Sequence, residues 1–292
     1  MERAETSLDE LIDQSIYIIR EALVQFRNPA AMWSTGKDST TMLYLIKMAS
    51  PENKIEIPVI HLDTGKKFPE IYEFRTRIAK EWNLKLIIGK NKDALKKGIS
   101  PETTSRFNCC TALKTEALKQ VIRKYEFDAL IMSIRRDEHA MRNIERYWSP
   151  RDKDFKWHLV RPKEPEEMKE GDAPFVSLQP IEFAGWDLYQ SNFGPNTDHV
   201  RVHPILHWTE LDVWRYIKRE KLPINPLYFS KNGFRYRSLG CECCTIPVKS
   251  NARTINEIID ELKVTDIEER SGRAQDKEDE EIMRRLRCLG YM

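Results

Sequence analysis

Three groups of residues in this chain have types and spacings that could do chemistry. The first, Ser34-Thr35-Gly36-Lys37-Asp38-Ser39, follows the apolar run Ala30-Ala31-Met32-Trp33 and precedes a helical pattern from Thr40 to Ala49. It lacks the G-x-x-x-x-G-K-[ST] spacing of a Walker loop, but the physics is similar. A glycine permits a tight turn, small hydroxyl residues leave backbone N–H groups accessible, and the helix that follows points its positive end at the loop. Lys37 adds a full charge, Ser34 and Ser39 can donate to phosphate oxygens, and Asp38 either ties the loop together or approaches a bound magnesium ion. The plainer alternative is a capped strand-to-helix turn. The second group, Arg135-Arg136-Asp137-Glu138, also follows an apolar run. Guanidinium forks match tetrahedral oxyanions, and Asp137 or Glu138 could orient them; a solvated charged turn is the alternative. The third is cysteine: Cys109-Cys110, and much later Cys241-Glu242-Cys243-Cys244. The C-x-x-C spacing of Cys241 and Cys244 lets two thiolates converge on one metal, and the earlier pair completes four ligands. His61, His203 and His207 each lie beside an apolar run and read as core or supporting groups rather than catalysts.

These groups need elements to position them. Apolar spacing predicts a helix over residues 8–27, capped by Ser7 and ended by Asn28-Pro29. Strands are expected at Ala30–Trp33, Pro58–Leu62, Leu84–Ile88 and Asp128–Ile134. Helices are expected at Thr40–Ala49, Pro69–Trp82, Thr111–Tyr125 (which Cys109-Cys110 would open) and Glu210–Glu220, the last capped by Thr209. Strands alternating with helices predict an α/β fold in three layers, a mostly parallel twisted sheet covered by helices on both faces. Ligands in such folds bind at the carboxyl ends of strands, and residues 34–39, 63–65 and 135–138 all fall there. Residues 149–200, rich in Pro, Gly and charge with isolated Trp157, Phe175, Phe183 and Trp186, read as a lid-like insertion or an ordinary irregular excursion. A helix near Ile255–Leu262 and an alternately charged tail from Asp276 to Leu286 close the chain. The expected division is 1–230 for the nucleotide-binding domain, with its insertion at about 149–200, and 231–292 for a cysteine-containing segment and helical tail.

Composition narrows the class. The 292 residues carry 48 Lys+Arg against 46 Asp+Glu, a net charge of +2, and 40% are hydrophobic. That excludes a disordered polyelectrolyte, and the 11 Gly and 15 Pro exclude a collagen-like or low-complexity chain. Near-zero net charge gives no support for a nucleic-acid binder. No apolar run approaches the length of a membrane span, so the expectation is a cytoplasmic chain. In that compartment six cysteines point to metal or thiol chemistry rather than disulfides.

The S-x-G-K-D-S pattern of residues 34–39 resembles the pyrophosphate-binding loop of the adenine-nucleotide alpha-hydrolase-like superfamily. His61-Leu62-Asp63-Thr64-Gly65 with Phe68-Pro69-Glu70 resembles the second motif of the branch that holds the sulfonucleotide reductases and the small subunit of sulfate adenylyltransferase. Arg135–Glu138 and Pro204–Trp214 extend the match. Tyr17–Glu21, Ser250-Asn251-Ala252 and Glu269-Arg270-Ser271-Gly272-Arg273 resemble the small-subunit family most. The resemblance implies adenylyl transfer from ATP to sulfate, giving adenylylsulfate and pyrophosphate. It implies pyrophosphate and magnesium on Ser34–Ser39, the nucleoside on Asp63, Thr64 and Gly65, and Arg135 and Arg136 on sulfate or the α-phosphate. It also implies a GTPase large subunit as partner; homo-oligomers are compatible with it.

The cysteines depart from that pattern. Cys109, Cys110, Cys241 and Cys244 resemble the iron–sulfur site of adenylylsulfate reductases, which implies a [4Fe–4S] cluster; structural zinc and free buried thiols stay open, and Cys243 is the spare. A reductase is therefore the second reading, but it needs a nucleophilic cysteine in an E-C-G-[IL]-H context. The only late cysteine, Cys288, sits in Arg287-Cys288-Leu289-Gly290 and reads as a packed apolar residue. A non-catalytic ATP-binding subunit is the third reading.

Overall fold

The computed structural model describes residues 7–139, 142, 145–157, 193, 196–265 and 269–272. Most of the 149–200 segment, including Phe175, Phe183 and Trp186, lies outside the described residues, as do the tail helix from Asp276 and Cys288.

Six strands form one sheet: β1 (Pro29–Met32), β2 (Val59–Leu62), β3 (Leu86–Gly89), β4 (Ala129–Ile131), β5 (Trp148–Arg151) and β6 (His199–Val202). Their order is β3-β2-β1-β4-β6-β5, parallel throughout except for β5, which runs antiparallel to β6. The central strands are short and apolar because both faces are covered. Ala31, Trp33, Val59 and Ile131 join one core, while Ala30, Met32, Ile60, Leu62, Leu130 and Met132 join another on the opposite face. That two-residue alternation makes the fold three layers, as the sequence pattern predicts.

Helices α1 (Leu8–Gln25), α2 (Lys37–Ala49), α3 (Pro69–Glu81), α7 (Glu210–Glu220) and α8 (Ile255–Val264) supply the first core. On the other face lie α4 (Lys92–Lys96), α5 (Arg106–Cys110) and α6 (Glu116–Tyr125), with Ala117, Leu118, Val121 and Ile122 of α6 buried in the second core. Both expected caps form. Ser7 and Glu10 make a reciprocal capping box on α1, and Thr209 and Asp212 make another on α7. Phe26 ends α1, and Pro29 already belongs to β1.

Three expectations need correction. The helix expected at Thr111 begins at Arg106, capped by Ser105, and a π-turn at Thr111–Thr115 separates α5 from α6. Cys109-Cys110 therefore closes the first segment instead of opening the helix. The helix expected from Thr40 begins at Lys37, so Lys37, Asp38 and Ser39 form its first turn. Finally, the ends of the 149–200 segment are strands β5 and β6, the antiparallel edge pair of the main sheet. His199-Val200-Arg201-Val202 hides its alternation because the second face is polar. Val200 and Val202 enter the core, while His199 packs on Phe155 at 4.9 Å between ring centroids and Arg201 is buried with it. Pro150 is tolerated because β5 is an edge. No helix among the described residues is long and apolar enough to cross a membrane.

The histidines tie the strand ends together. His61 Nδ1 lies 2.9 Å from the Trp33 carbonyl and His203 Nδ1 lies 2.7 Å from the Arg146 carbonyl. His207 Nδ1 meets the Tyr147 hydroxyl at 2.8 Å. Burial is the main force holding all three rings neutral, pushing His61 down to about 3 and His203 and His207 to about 4. In the unfolded chain the same rings titrate near 6.5, so the unfolded state binds more protons between those limits. Stability is complete above pH 6.5 and falls as pH drops toward 4. Thermal unfolding measured from pH 7 to pH 4.5 is expected to show a falling midpoint, by roughly 2–4 °C per kcal/mol lost. A flat profile over that range would contradict the assignment.

Candidate active site

The carboxyl ends of β1, β2 and β4 border an open cleft enclosing about 990 Å³. The chain runs outward from β1 to β2 and β3, then returns to place β4 on the other side of β1. The cleft thus lies at the point where the strand order reverses, the ordinary ligand position in such sheets. Ser34, Gly36, Asp38 and Ser39 form one wall; Met32, Leu62, Met132 and Ile134 form an apolar floor; Leu239 and Gly240 approach from the C-terminal part.

The loop is held open from within. Ser39 Oγ accepts from the Ser34 N–H at 3.2 Å and lies 3.0 Å from Ser34 Oγ. Thr35 takes a left-handed backbone, φ +69°, a strained state for a β-branched residue that persists only where its surroundings enforce it. Gly36 precedes α2 without a side-chain cap, and the Lys37 N–H donates to the Tyr228 hydroxyl at 2.9 Å. Gly36 is required by close approach: a Cβ there would sit 3.1 Å from the Tyr228 hydroxyl.

Behind this loop is a buried ion cluster. Lys37 and Arg135 have fully buried side chains. Arg135 Nε meets Asp38 Oδ1 at 2.7 Å, its Nη1 meets Asp137 Oδ2 at 3.1 Å, and its Nη2 bonds Glu269 Oε2. Lys37 Nζ meets Asp38 Oδ2 at 3.1 Å and Glu210 Oε1 at 3.9 Å, and bonds Glu269 Oε1. Burial opposes the charge on Lys37, but Asp38, Glu269 and Glu210 outweigh it and push its pKa up. Burial also resists ionisation of Asp38, yet Arg135 and Lys37 hold it down to about 2. For Glu269, burial works in the other direction and pushes the carboxyl up to about 7 against Arg135 and Lys37. With two cations in bonding contact, the ionised pair is the state we adopt.

The sequence-derived residues separate accordingly. Ser34, Gly36, Asp38 and Ser39 reach the cleft; Lys37 and Arg135 stand behind it, neutralised by protein carboxylates. Asp137 does orient Arg135, and it also accepts from the Glu210 N–H at the start of α7, at 2.8 Å. Arg136 turns away: its Nη2 donates to the Glu145 carbonyl at 2.9 Å, and its guanidinium lies 5.9 Å from the Tyr147 ring centre. Asp63 is spent on its own loop, accepting from the Gly65 N–H at 2.8 Å and the Tyr72 hydroxyl at 2.9 Å, with Lys90 at 3.4 Å. Burial opposes its charge, but those partners outweigh it and hold its carboxyl below the usual range. Gly65 takes φ +67° to close this turn. From this loop Leu62 and Lys67 face the cleft, rather than Asp63, Thr64 or Gly65. The residues that sequence reasoning missed are Lys67, Lys114, Arg142 and Arg270, four cations that border the cleft. Sequence reasoning matched Arg270 only as part of a family segment and gave none of the four a place in the cleft.

The cysteines do converge. Cys109, Cys110, Cys241, Cys243 and Cys244 line one small pocket with Thr64, Lys66 and Lys114. Four are buried and Cys243 is exposed; all five are free thiols. Thr64 Oγ1 lies 3.2 Å from Cys241 Sγ, and the Glu242 N–H donates to the Lys66 carbonyl at 2.8 Å, so the β2 loop holds the cysteine segment directly. Burial first, and then the neighbouring sulfurs, push Cys109 up to about 12. Lys114 borders both this cavity and the cleft.

The phosphoadenosine phosphosulfate reductase domain family matches residues 28–247. "Sulfate adenylyltransferase subunit 2" of Aeromonas hydrophila is 36% identical, over 98% of this chain and 98% of its own. The protein of that name from Sulfurimonas denitrificans is also 36% identical, over 98% and 97%. The chain belongs to the sulfate adenylyltransferase subunit 2 family, built on this domain. Among solved structures, phosphoadenylyl-sulfate reductase from Candida auris is similar at a TM-score of 0.52 and 17% identity, covering 84% of this chain and 99% of that one. FMN adenylyltransferase from Candida glabrata in complex with ATP is similar at 0.53 and 15%, covering 85% and 67%. At those identities the likeness shows the fold.

The loop geometry makes a direct prediction. Tyr228→Phe leaves the buried Lys37 N–H without a partner and should cost about 1–3 kcal/mol in urea unfolding. Gly36→Ala, which displaces the same hydroxyl, should destabilise in the same direction. A Tyr228→Phe protein as stable as the wild type would contradict this reading of the loop.

Proposed function

We propose that the chain is the catalytic small subunit of a heteromeric sulfate adenylyltransferase. A sulfate oxygen attacks the α-phosphorus of ATP; the new S–O–P bond forms as the bond to the β-phosphate oxygen breaks, and pyrophosphate leaves with that electron pair. The observation that carries this reading is the Ser34–Ser39 loop, which lines the strand-end cleft at the positive N-terminus of α2 in a chain with full-length relatives of that name. Catalysis of this kind rests on placement and charge neutralisation. Ser34, Gly36 and Ser39 receive the leaving pyrophosphate. The apolar floor of Met32, Met132 and Ile134 suits the nucleoside. Lys37, Arg135 and Asp137 fix the loop from behind. The segment from residue 231 onward contributes to the same cleft through Ser238, Leu239, Gly240 and Arg270.

Carboxylate oxygens of Asp38, Glu138 and Glu269 lie within 4.8 Å of one another, a hard-oxygen set compatible with magnesium. All three already meet protein cations, and Asp38 and Glu138, which border the cleft while Glu269 does not, are the residues that would hold the ion. When bound with the nucleotide it supplies neutralisation of the phosphate oxygens. A GTPase large subunit suits this reading because formation of the sulfate–phosphate anhydride is uphill, and this chain carries no Walker loop.

We further propose that Cys109, Cys110, Cys241 and Cys244 hold a metal centre, with an iron–sulfur cluster as its form. Two segments far apart in the chain place four buried thiols on one cavity. Among the described residues no three of these sulfurs lie within 4.8 Å of one another, wider than the spacing around one tetrahedral zinc. The protein purified without oxygen should contain about four iron and four sulfide per chain, lost in Cys109→Ser. About one zinc and no iron would overturn the cluster, and no metal at all would overturn the centre.

The activity test is direct. With ATP, sulfate, magnesium and pyrophosphatase, and with its GTPase partner present, the chain should form adenylylsulfate. Sulfite released from adenylylsulfate and reduced thioredoxin, with no adenylylsulfate made from ATP, would overturn the reading in favour of a reductase.

A further inference from the structure

Two cations on the cleft wall share one buried carboxylate. Glu138 is a buried carboxylate whose Oε2 bonds Arg142 Nη1 and whose Oε1 lies 3.6 Å from Arg270 Nη1. Arg142 lies five residues beyond Asp137 and four beyond Glu138 in the sequence. Arg270 arrives from the far end of the chain, on the Glu269–Gly272 turn. Their side chains are only 13% and 7% exposed, and both border the cleft.

Two guanidinium groups repel each other in a half-dry site, and a buried carboxylate between them holds them together at a separation fixed by its own two oxygens. Five cations, Lys37, Arg135, Arg142, Arg237 and Arg270, meet five carboxylates, Asp38, Asp137, Glu138, Glu210 and Glu269. Lys37, Arg135 and Arg237 are taken up on the inner side by Asp38, Glu269 and Glu210. The pair that faces the cleft is Arg142 and Arg270, which share Glu138. An anion in the cleft beside them gains fork-shaped, charge-assisted hydrogen bonds.

We propose that Arg142 and Arg270, bridged by Glu138, form a clamp for a tetrahedral oxyanion of the reaction. It is separate from the backbone cradle of Ser34–Ser39 and replaces Arg135 and Arg136 in that role. Glu269 anchors the clamp: its bonds to Lys37 and Arg135 fix the turn that presents Arg270. The proposal rests on the adenylyl-transfer reading for the identity of the anion. Sulfate, the attacking group, and pyrophosphate, the leaving group, share the chemistry that the clamp would recognise.

The test uses the full chain with its partner subunit and the variants Arg270→Ala, Arg270→Lys and Arg142→Ala. Sulfate, in the presence of α,β-methylene-ATP, and pyrophosphate alone are titrated separately by calorimetry. The KM values for sulfate and ATP are measured in parallel. The clamp predicts that Arg270→Ala and Arg142→Ala each weaken the same oxyanion by tenfold or more, with the other changed less than threefold. Arg270→Lys should recover only part of the loss, since an ammonium lacks the fork. Selective loss of sulfate affinity assigns the clamp to the nucleophile, and selective loss of pyrophosphate affinity assigns it to the leaving group. Folded variants, checked by circular dichroism, that bind both anions within twofold of the wild type would overturn the proposal. The charge-keeping Arg270→Lys protects the test if either alanine variant fails to fold. If the wild type makes no adenylylsulfate, the adenylyl-transfer reading fails, while the two titrations still decide whether the clamp exists.

Discussion

Two positive charges, on Lys37 and Arg135, are buried completely behind the loop that shapes the cleft, and the rest of the site follows from the need to neutralise them. A charge removed from water costs several kcal/mol unless it is paired and hydrogen-bonded. Local sequence supplies only Asp38 and Asp137. The remaining carboxylates come from α7, through Glu210, and from the C-terminal turn, through Glu269. A nucleotide-binding unit whose strands end by residue 202 is thus electrostatically incomplete without residues 210 and 269. The same demand brings Arg237 onto Glu210 at 2.6 Å and so fixes the approach of Ser238–Gly240 to the cleft.

This division of labour explains why the loop cations of the sequence are not the cations of the cleft. A lysine at the first position of a helix has its ammonium directed back along the helix side, where it can be sealed beneath the loop while the backbone faces outward. Lys37 and Arg135 therefore act as a rigid base, and the serine hydroxyls and backbone of residues 34–39 form the surface that meets a ligand. The charge needed to attract an oxyanion is left to residues reaching the wall from other segments. The cysteine cavity is bolted to the same frame: Thr64 contacts Cys241, and Lys114, within the π-turn, borders both spaces.

Much of this fold was legible in sequence because its signals are local. Alternating strands and amphipathic helices, the Ser7 and Thr209 caps, and the strand-end positions of the polar loops depend on neighbours a few residues apart. β5 and β6 were not legible, since a strand with one apolar face of two valines and one buried basic face does not look like a core strand. In the site, the glycine-bearing loop and the cysteine spacing were visible as patterns. The roles of Arg142 and Arg270 at the cleft were not, because Glu138 holds both, and Arg270, seen in the sequence only within the Glu269–Arg273 segment, meets it across more than a hundred residues. Arg136 shows the converse: adjacency in sequence to Arg135 suggested a shared role, but the backbone turn after β4 sends the two side chains to opposite environments.

The interdependence of the loop and the C-terminal turn can be measured with a double-mutant cycle on Lys37 and Glu269, using Lys37→Met, Glu269→Gln and the pair, with unfolding free energy read by urea denaturation. The account predicts that each single change is strongly destabilising, on the order of 3–5 kcal/mol, because it leaves the partner charge buried and uncompensated. The double variant should lose less than the sum of the two, by roughly 1–3 kcal/mol. Single effects that add without coupling would contradict the claim that this ion pair joins the end of the chain to its phosphate loop.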